Sequence, residues 1–123
     1  MNVSIVLVNY NTLRITKECI DSIVNNTIDI SYEIILVDNA SSDGSIEYFS
    51  KDERIKFIES GSNLGFGKAN NLGAQNSVGD YVFFLNTDTV LKNNAIKIMY
   101  DWMVQYNYDL NVGALGCLLL GKD

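Results

Sequence analysis

Val3-Ser4-Ile5-Val6-Leu7-Val8-Asn9-Tyr10-Asn11 opens the chain with β-branched and aliphatic residues in almost unbroken succession. An apolar run without polar alternation describes a strand covered on both faces, the usual state of a strand inside a parallel sheet. The run stops at the polar triplet Asn9-Tyr10-Asn11. Beyond it, roughly residues 12–26 place Thr16, Ile20, Ile23, Val24 and Thr27 on one helical face, with Asn11 or Thr12 as the N-cap. A buried strand followed by an amphipathic helix is the first half of a βαβ unit.

The unit recurs. Glu33-Ile34-Ile35-Leu36-Val37 reads as a second buried strand ending at Asp38-Asn39, and the turn-rich Ala40–Ser45 leads into a short helix reaching about Ser50. Ile55–Glu59 is a third strand, Gly61–Gly65 its loop, and a helix of small residues follows from about Gly67 to Asn76. Tyr81-Val82-Phe83-Phe84-Leu85 is a fourth, buried strand that ends at Asn86-Thr87-Asp88-Thr89. A helix from about Asn93 to Tyr106 carries Ile96, Met99, Tyr100 and Met103 on one face, and Val112–Leu120 fits a fifth strand. The alternation predicts an α/β fold with a Rossmann-like parallel sheet and right-handed crossovers, for which the order often found in doubly wound sheets is 3-2-1-4. In that order the winding reverses between strands 1 and 4, where ligands bind outside the carboxyl ends of the strands.

Composition narrows the chemistry. The 123 residues hold 15 acids and 9 bases for a net charge of −6, which provides no basic stripe for a nucleic-acid backbone. Histidine is absent, so Ser-His-Asp and Cys-His nucleophilic systems and His-ligated zinc are excluded, and carboxylates must carry acid–base or metal chemistry. Cys19 and Cys117 sit in apolar patterns and read as free buried thiols. The sequons at Asn2, Asn25 and Asn39 lack a secretory signal, and the longest apolar run, Gly113 to Gly121, is too short to span a bilayer; a cytosolic chain is expected.

The strand ends supply the candidate site. Asparagines 9, 11, 39, 63, 70, 71 and 86 fall in or beside them, either as turn formers or as ligand contacts. Asp88 follows an apolar strand, where a carboxylate faces a cavity or cation or else caps the next helix. A hard ion such as Mg²⁺ or Mn²⁺, held by one or two carboxylates and completed by phosphates and water, suits it. Asp38 holds the position from which an acid reaches a ribose or base, or starts an Asx-turn over Asn39–Ser42. Tyr10 offers a ring face to a nucleobase or simply packs. Gly61–Lys68 fails as a P-loop because Ser62 and Ala69 stand where Gly and Ser or Thr are needed, and fails as a dinucleotide fingerprint because Asn70 replaces a small residue. Its glycines and Lys68 still suit an anion at a helix N-terminus.

Together, Val3–Asn11, Ile35–Ser45, Asn63–Asn71 and Phe84–Asp88 resemble the N-terminal part of family 2 glycosyltransferases of the GT-A fold, particularly the bacterial rhamnosyltransferase-like members. The resemblance covers essentially the whole chain. It implies a nucleotide-diphospho-sugar donor, UDP-, dTDP- or GDP-linked, bound by Asn9, Tyr10, Asn11, Asp38, Asn39, Gly65, Phe66, Lys68, Asn70, Asn86 and Thr87. Asn86-Thr87-Asp88 lies where the family carries its DxD motif, so Asp88 is the implied ligand of Mn²⁺ or Mg²⁺. Asn86 replaces the first aspartate and leaves one fewer negative charge beside the diphosphate. The implied reaction is metal-assisted, inverting sugar transfer to a glycan or lipid-linked acceptor hydroxyl in cell-surface polysaccharide synthesis, with possible self-association and peripheral membrane attachment. The resemblance makes residues 1–123 the donor-binding half, inactive alone, with the general base beyond Asp123. The alternatives are a non-catalytic nucleotide-sugar-binding module and, more weakly, a nucleotidyltransferase.

Overall fold

The computed structural model describes residues 1–110 and 113–116. Their order is β1 (Val3–Asn9), α1 (Leu13–Asn26), β2 (Tyr32–Asp38), α2 (Ser45–Phe49), β3 (Lys56–Glu59), α3 (Phe66–Gln75), β4 (Tyr81–Phe84) and α4 (Ala95–Leu110). The strands form one parallel sheet in the order β3-β2-β1-β4, the order often found in doubly wound sheets. The fifth strand expected at Val112–Leu120 and Cys117 lie wholly or largely outside the described residues.

β1 and β2 are covered on both faces, and the period-2 alternation of their side chains divides the core in two. Val3, Ile5, Leu7, Ile34 and Leu36 pack against Cys19, Ile20 and Ile23 of α1, Phe49 of α2 and Ile96 of α4. Val6, Ile35 and Val37 face the other way, onto Ala69 of α3. Small residues in α3 let it approach closely: a Cβ at Gly73 would lie 2.4 Å from Val6 Cγ1. Because α1 and α3 lie on opposite faces, the winding reverses at β1, between β2 and β4.

β4 departs from the expected buried strand. It forms one edge of the described sheet and is half-open: Phe83 joins the core and Tyr81 packs edge-to-face on Tyr100, whereas Val82 and Phe84 are 37% and 51% exposed. α3 packs on β1 and β2, so among the described residues the outer part of that face, at β4, is the less covered.

Candidate functional site

With all strands parallel, their carboxyl ends lie along one rim, and a cleft of about 450 Å³ opens there. Val8, Tyr10 and Thr12 line it from the end of β1, Asn39 from the end of β2, Asn63 from the loop before α3, Phe66 as the first residue of α3, and Asn86, Thr87 and Asp88 from the turn after β4. Of the residues singled out in the sequence, the structure therefore gathers Tyr10, Asn39, Phe66, Asn86, Thr87 and Asp88 around one hollow. Asn11, Gly65, Lys68 and Asn70 fall outside its lining, and Asn9 and Asp38 are fully buried. Asn63, one of the strand-end asparagines, also lines the cleft, whereas Val8 reads from sequence only as part of a strand and Thr12 only as a cap.

The β1–β2 side is stitched by side-chain hydrogen bonds. Asn9 and Asp38 are register partners at the ends of their strands. Asn9 Nδ2 donates to Asp38 Oδ1 at 2.8 Å and to Ser41 Oγ at 3.2 Å, while its Oδ1 accepts from the hydroxyls of Thr12 (2.9 Å) and Thr16 (2.8 Å). Asp38 Oδ1 also accepts from Ser41 Oγ at 2.7 Å, and Oδ2 accepts from Ser41 N at 2.8 Å, so Asp38 does hold the turn that follows it, but through the residue three on and not the two of an Asx-turn. Thr12 is the N-cap residue of α1, but its hydroxyl is turned back to Asn9 instead of capping the helix. Asn11 adopts a left-handed φ of 54°, a conformation that asparagine tolerates, and accepts from Ser42 N at 2.7 Å. Asn39 Nδ2 donates to the Gly65 carbonyl at 3.2 Å, while Oδ1 accepts from Leu64 N at 3.3 Å, drawing the glycine loop across the rim. Gly65, at φ 80°, then turns the chain into α3.

The β4 side is built differently. The Asn86 carbonyl accepts from Thr89 N at 3.2 Å and Thr89 Oγ1 at 2.7 Å, closing a short turn. Cys19 Sγ lies 3.9 Å from the same carbonyl, and burial pushes its thiol up to about 11, with a hydrogen bond to Thr89 acting the other way and the Asp88 charge adding to the rise. Asp88 is exposed, and its carboxylate accepts no hydrogen bond among the described residues. It does not cap α4, which begins only at Ala95.

No three acidic or thiol side chains converge among the described residues. A single carboxylate with neutral oxygens from Asn86 and Thr87 beside it fits a hard divalent ion only where a diphosphate and water complete the shell. The molecule has a larger hollow, about 630 Å³, against α2. Its charges are already matched: Arg54 pairs with Asp52 and Asp21, and Lys51 with Glu47. The rim cleft, by contrast, combines exposed rings with an acidic side chain that is unpaired among the described residues.

A parallel sheet of this order, with a polar cleft at the reversal point, defines a doubly wound α/β architecture, and solved structures make it the GT-A glycosyltransferase fold. S. aureus TarS in complex with UDP superposes with a TM-score of 0.77 at 21% identity, over 87% of this chain and 33% of that one. Mannosyltransferase PcManGT from Pyrobaculum calidifontis, in complex with GDP-Man and Mn²⁺, does so with a TM-score of 0.77 at 21% identity, over 95% of this chain and 35% of that one. The sequence model of glycosyl transferase family 2 matches residues 4–117, and the chain belongs to that family. Among its relatives are the poly(ribitol-phosphate) beta-glucosyltransferase of Bacillus spizizenii, 33% identical over 94% of this chain and 19% of that protein, and glycosyltransferase GlyA of Streptococcus pneumoniae, 31% identical over 90% and 16%. The chain spans less than half the length of these relatives.

Proposed function

We propose that residues 1–123 form the donor-binding part of a glycosyltransferase that moves a sugar from a UDP-, dTDP- or GDP-linked donor to an acceptor hydroxyl of a glycan or lipid-linked glycan. The observation that carries this reading is the rim cleft, lined by an exposed tyrosine and by a carboxylate that is uncommitted among the described residues.

Tyr10 presents a ring for the base, and the Asn39 side of the cleft bounds the nucleoside. Phe66 and the glycine turn before α3 lie along the donor, where the first amides of the helix favour the diphosphate. Lys68, exposed on the first turn of α3, adds positive potential to an acidic protein. Asp88, with Asn86 and Thr87, would hold Mn²⁺ or Mg²⁺ between protein and diphosphate. When bound, such an ion supplies Lewis-acid neutralisation of the leaving nucleoside diphosphate. Inversion needs a base on the acceptor side, and the reading places that base, with the acceptor site, in sequence following Asp123. No helix of the described residues is long and apolar enough to cross a membrane; the proposal puts the enzyme in the cytoplasm, peripheral to the membrane when its acceptor is lipid-linked.

Calorimetric titration of the folded chain with UDP, dTDP and GDP, with and without Mn²⁺, tests the reading. Binding of one of them, tightened by Mn²⁺, is expected, and Asp88→Ala should remove the tightening while leaving metal-free binding in place. A folded sample that binds none of the three refutes the donor assignment.

A further inference from the structure

Asn9 and Asp38 stand at the strand ends where donor contacts are expected, yet neither side chain is exposed. Every polar atom of both side chains is already engaged within the protein. Turning Asp38 toward a ligand would break its bonds to Ser41 and leave the Asn9 amide without its acceptor in a buried place, an expensive loss. The backbone repeats the same device on both strands. Asn9 and Asp38 are register partners, the next residues are the cleft-lining Tyr10 and Asn39, and the residues after those, Asn11 and Ala40, both turn left-handed at φ 54° and 68°. Asn39 N also donates to the Asn9 carbonyl at 2.9 Å, so the two departures are tied at their origin. Thr12 and Thr16 fix the far side of the Asn9 amide to α1.

We propose that Asn9 and Asp38 are positioning residues: the buried pair sets the separation and orientation of Tyr10 and Asn39 and acts on the donor only through them. The proposal rests on the donor-binding reading of the cleft. It differs from direct contact in requiring a hydrogen bond between positions 9 and 38, whichever of the two supplies the carboxylate.

The test therefore exchanges the partners. Asn9→Asp places two carboxylates in hydrogen-bonding reach and should shift the Tyr10 and Asn39 backbone amide resonances of the nucleotide-free protein and weaken UDP binding about tenfold or more. The exchange Asn9→Asp with Asp38→Asn restores a donor facing an acceptor. It should return the amide resonances towards those of the parent and the affinity to within about threefold. Amides restored without affinity would mean that the Asp38 carboxylate touches the donor, which overturns the proposal, as would an Asn9→Asp variant unchanged in both readouts. Thr16→Val provides a milder variant if the exchange does not fold. It should move the same amides and weaken UDP several-fold, and no change in either overturns the proposal. A parent protein that binds no nucleotide defeats the donor reading instead, while the nucleotide-free resonances still report on the positioning.

Discussion

The two walls of the rim cleft are made from opposite materials. The β1–β2 wall is a lattice of short side-chain hydrogen bonds around Asn9, Asp38 and Ser41, set on strands buried on both faces. The β4 wall is a turn closed through the Asn86 carbonyl, with Asp88 exposed and uncommitted, on a strand half-open to solvent. One wall has spent its polar groups on shape, and the other leaves the Asp88 carboxylate unspent among the described residues. This division is what a site needs when one part of the ligand is recognised by fit and another by charge.

Removing the centre of the first wall should have the largest effect. Asn9→Ala takes one of two donors from Asp38 Oδ1 and the shared acceptor from the Thr12 and Thr16 hydroxyls; it should lower stability by about 3 kcal/mol in urea unfolding, whereas Asp88→Ala on the other wall should stay within about 0.5 kcal/mol. Equal losses would erase the distinction between the walls. Next comes the thiol beneath the β4 turn. Cys19 is raised by burial from its ordinary 9.0 to about 11, so between those values the native state keeps a proton that the unfolded chain has lost. Its contribution is complete below pH 9 and is lost as pH rises through 11, at most about 2–3 kcal/mol. Urea unfolding at about pH 8 and 10.5 should show this decline in the parent and a smaller one in Cys19→Ala; identical slopes would contradict it. Gly73→Ala probes the packing under the stitched wall, because its Cβ would meet Val6 Cγ1 at 2.4 Å and Val37 Cγ2 at 3.4 Å. A loss of about 1–3 kcal/mol is expected from this overpacking, and a neutral result would show that α3 shifts freely. The smallest effect is at Ala40, whose φ of 68° suits glycine better. Ala40→Gly should raise the melting temperature slightly, by the equivalent of about 0.5 kcal/mol, since relief of strain exceeds the added chain entropy.

The strand order and the rim position of the cleft were legible because apolar runs without alternation, separated by helical periodicity, leave few topologies open. β4 was misread for the same reason: an unbroken apolar run looks alike whether one face or both are covered, and coverage depends on what packs there, not on the strand itself. Within the site, sequence found the strand ends but could not sort the residues on them. The sorting follows from alternation. Asn9 continues the Val3, Ile5, Leu7 series that faces α1, and Asp38 continues Ile34 and Leu36, so both turn inward. Tyr10 and Asn39 follow the opposite series, Val6–Val8 and Ile35–Val37, and line the cleft. Ser41 escaped notice because a serine in a turn carries no periodic signal; only the fold shows that it serves Asn9, Asn11 and Asp38 at once.

The stitching also bears on the order in which the molecule assembles. Asn9 and Asp38 are 29 residues apart in sequence, whereas Cys19 and the Asn86 carbonyl that joins the second wall to α1 are 67 apart. Closing the shorter loop loses less chain entropy, so β1, α1 and β2 can condense while β4 is still searching. The buried asparagine and aspartate then serve during folding as well as in the finished cleft. Their pairing is satisfied in one strand register alone, and a slip by a single residue would strand a carboxylate in the core before the rest of the sheet arrives.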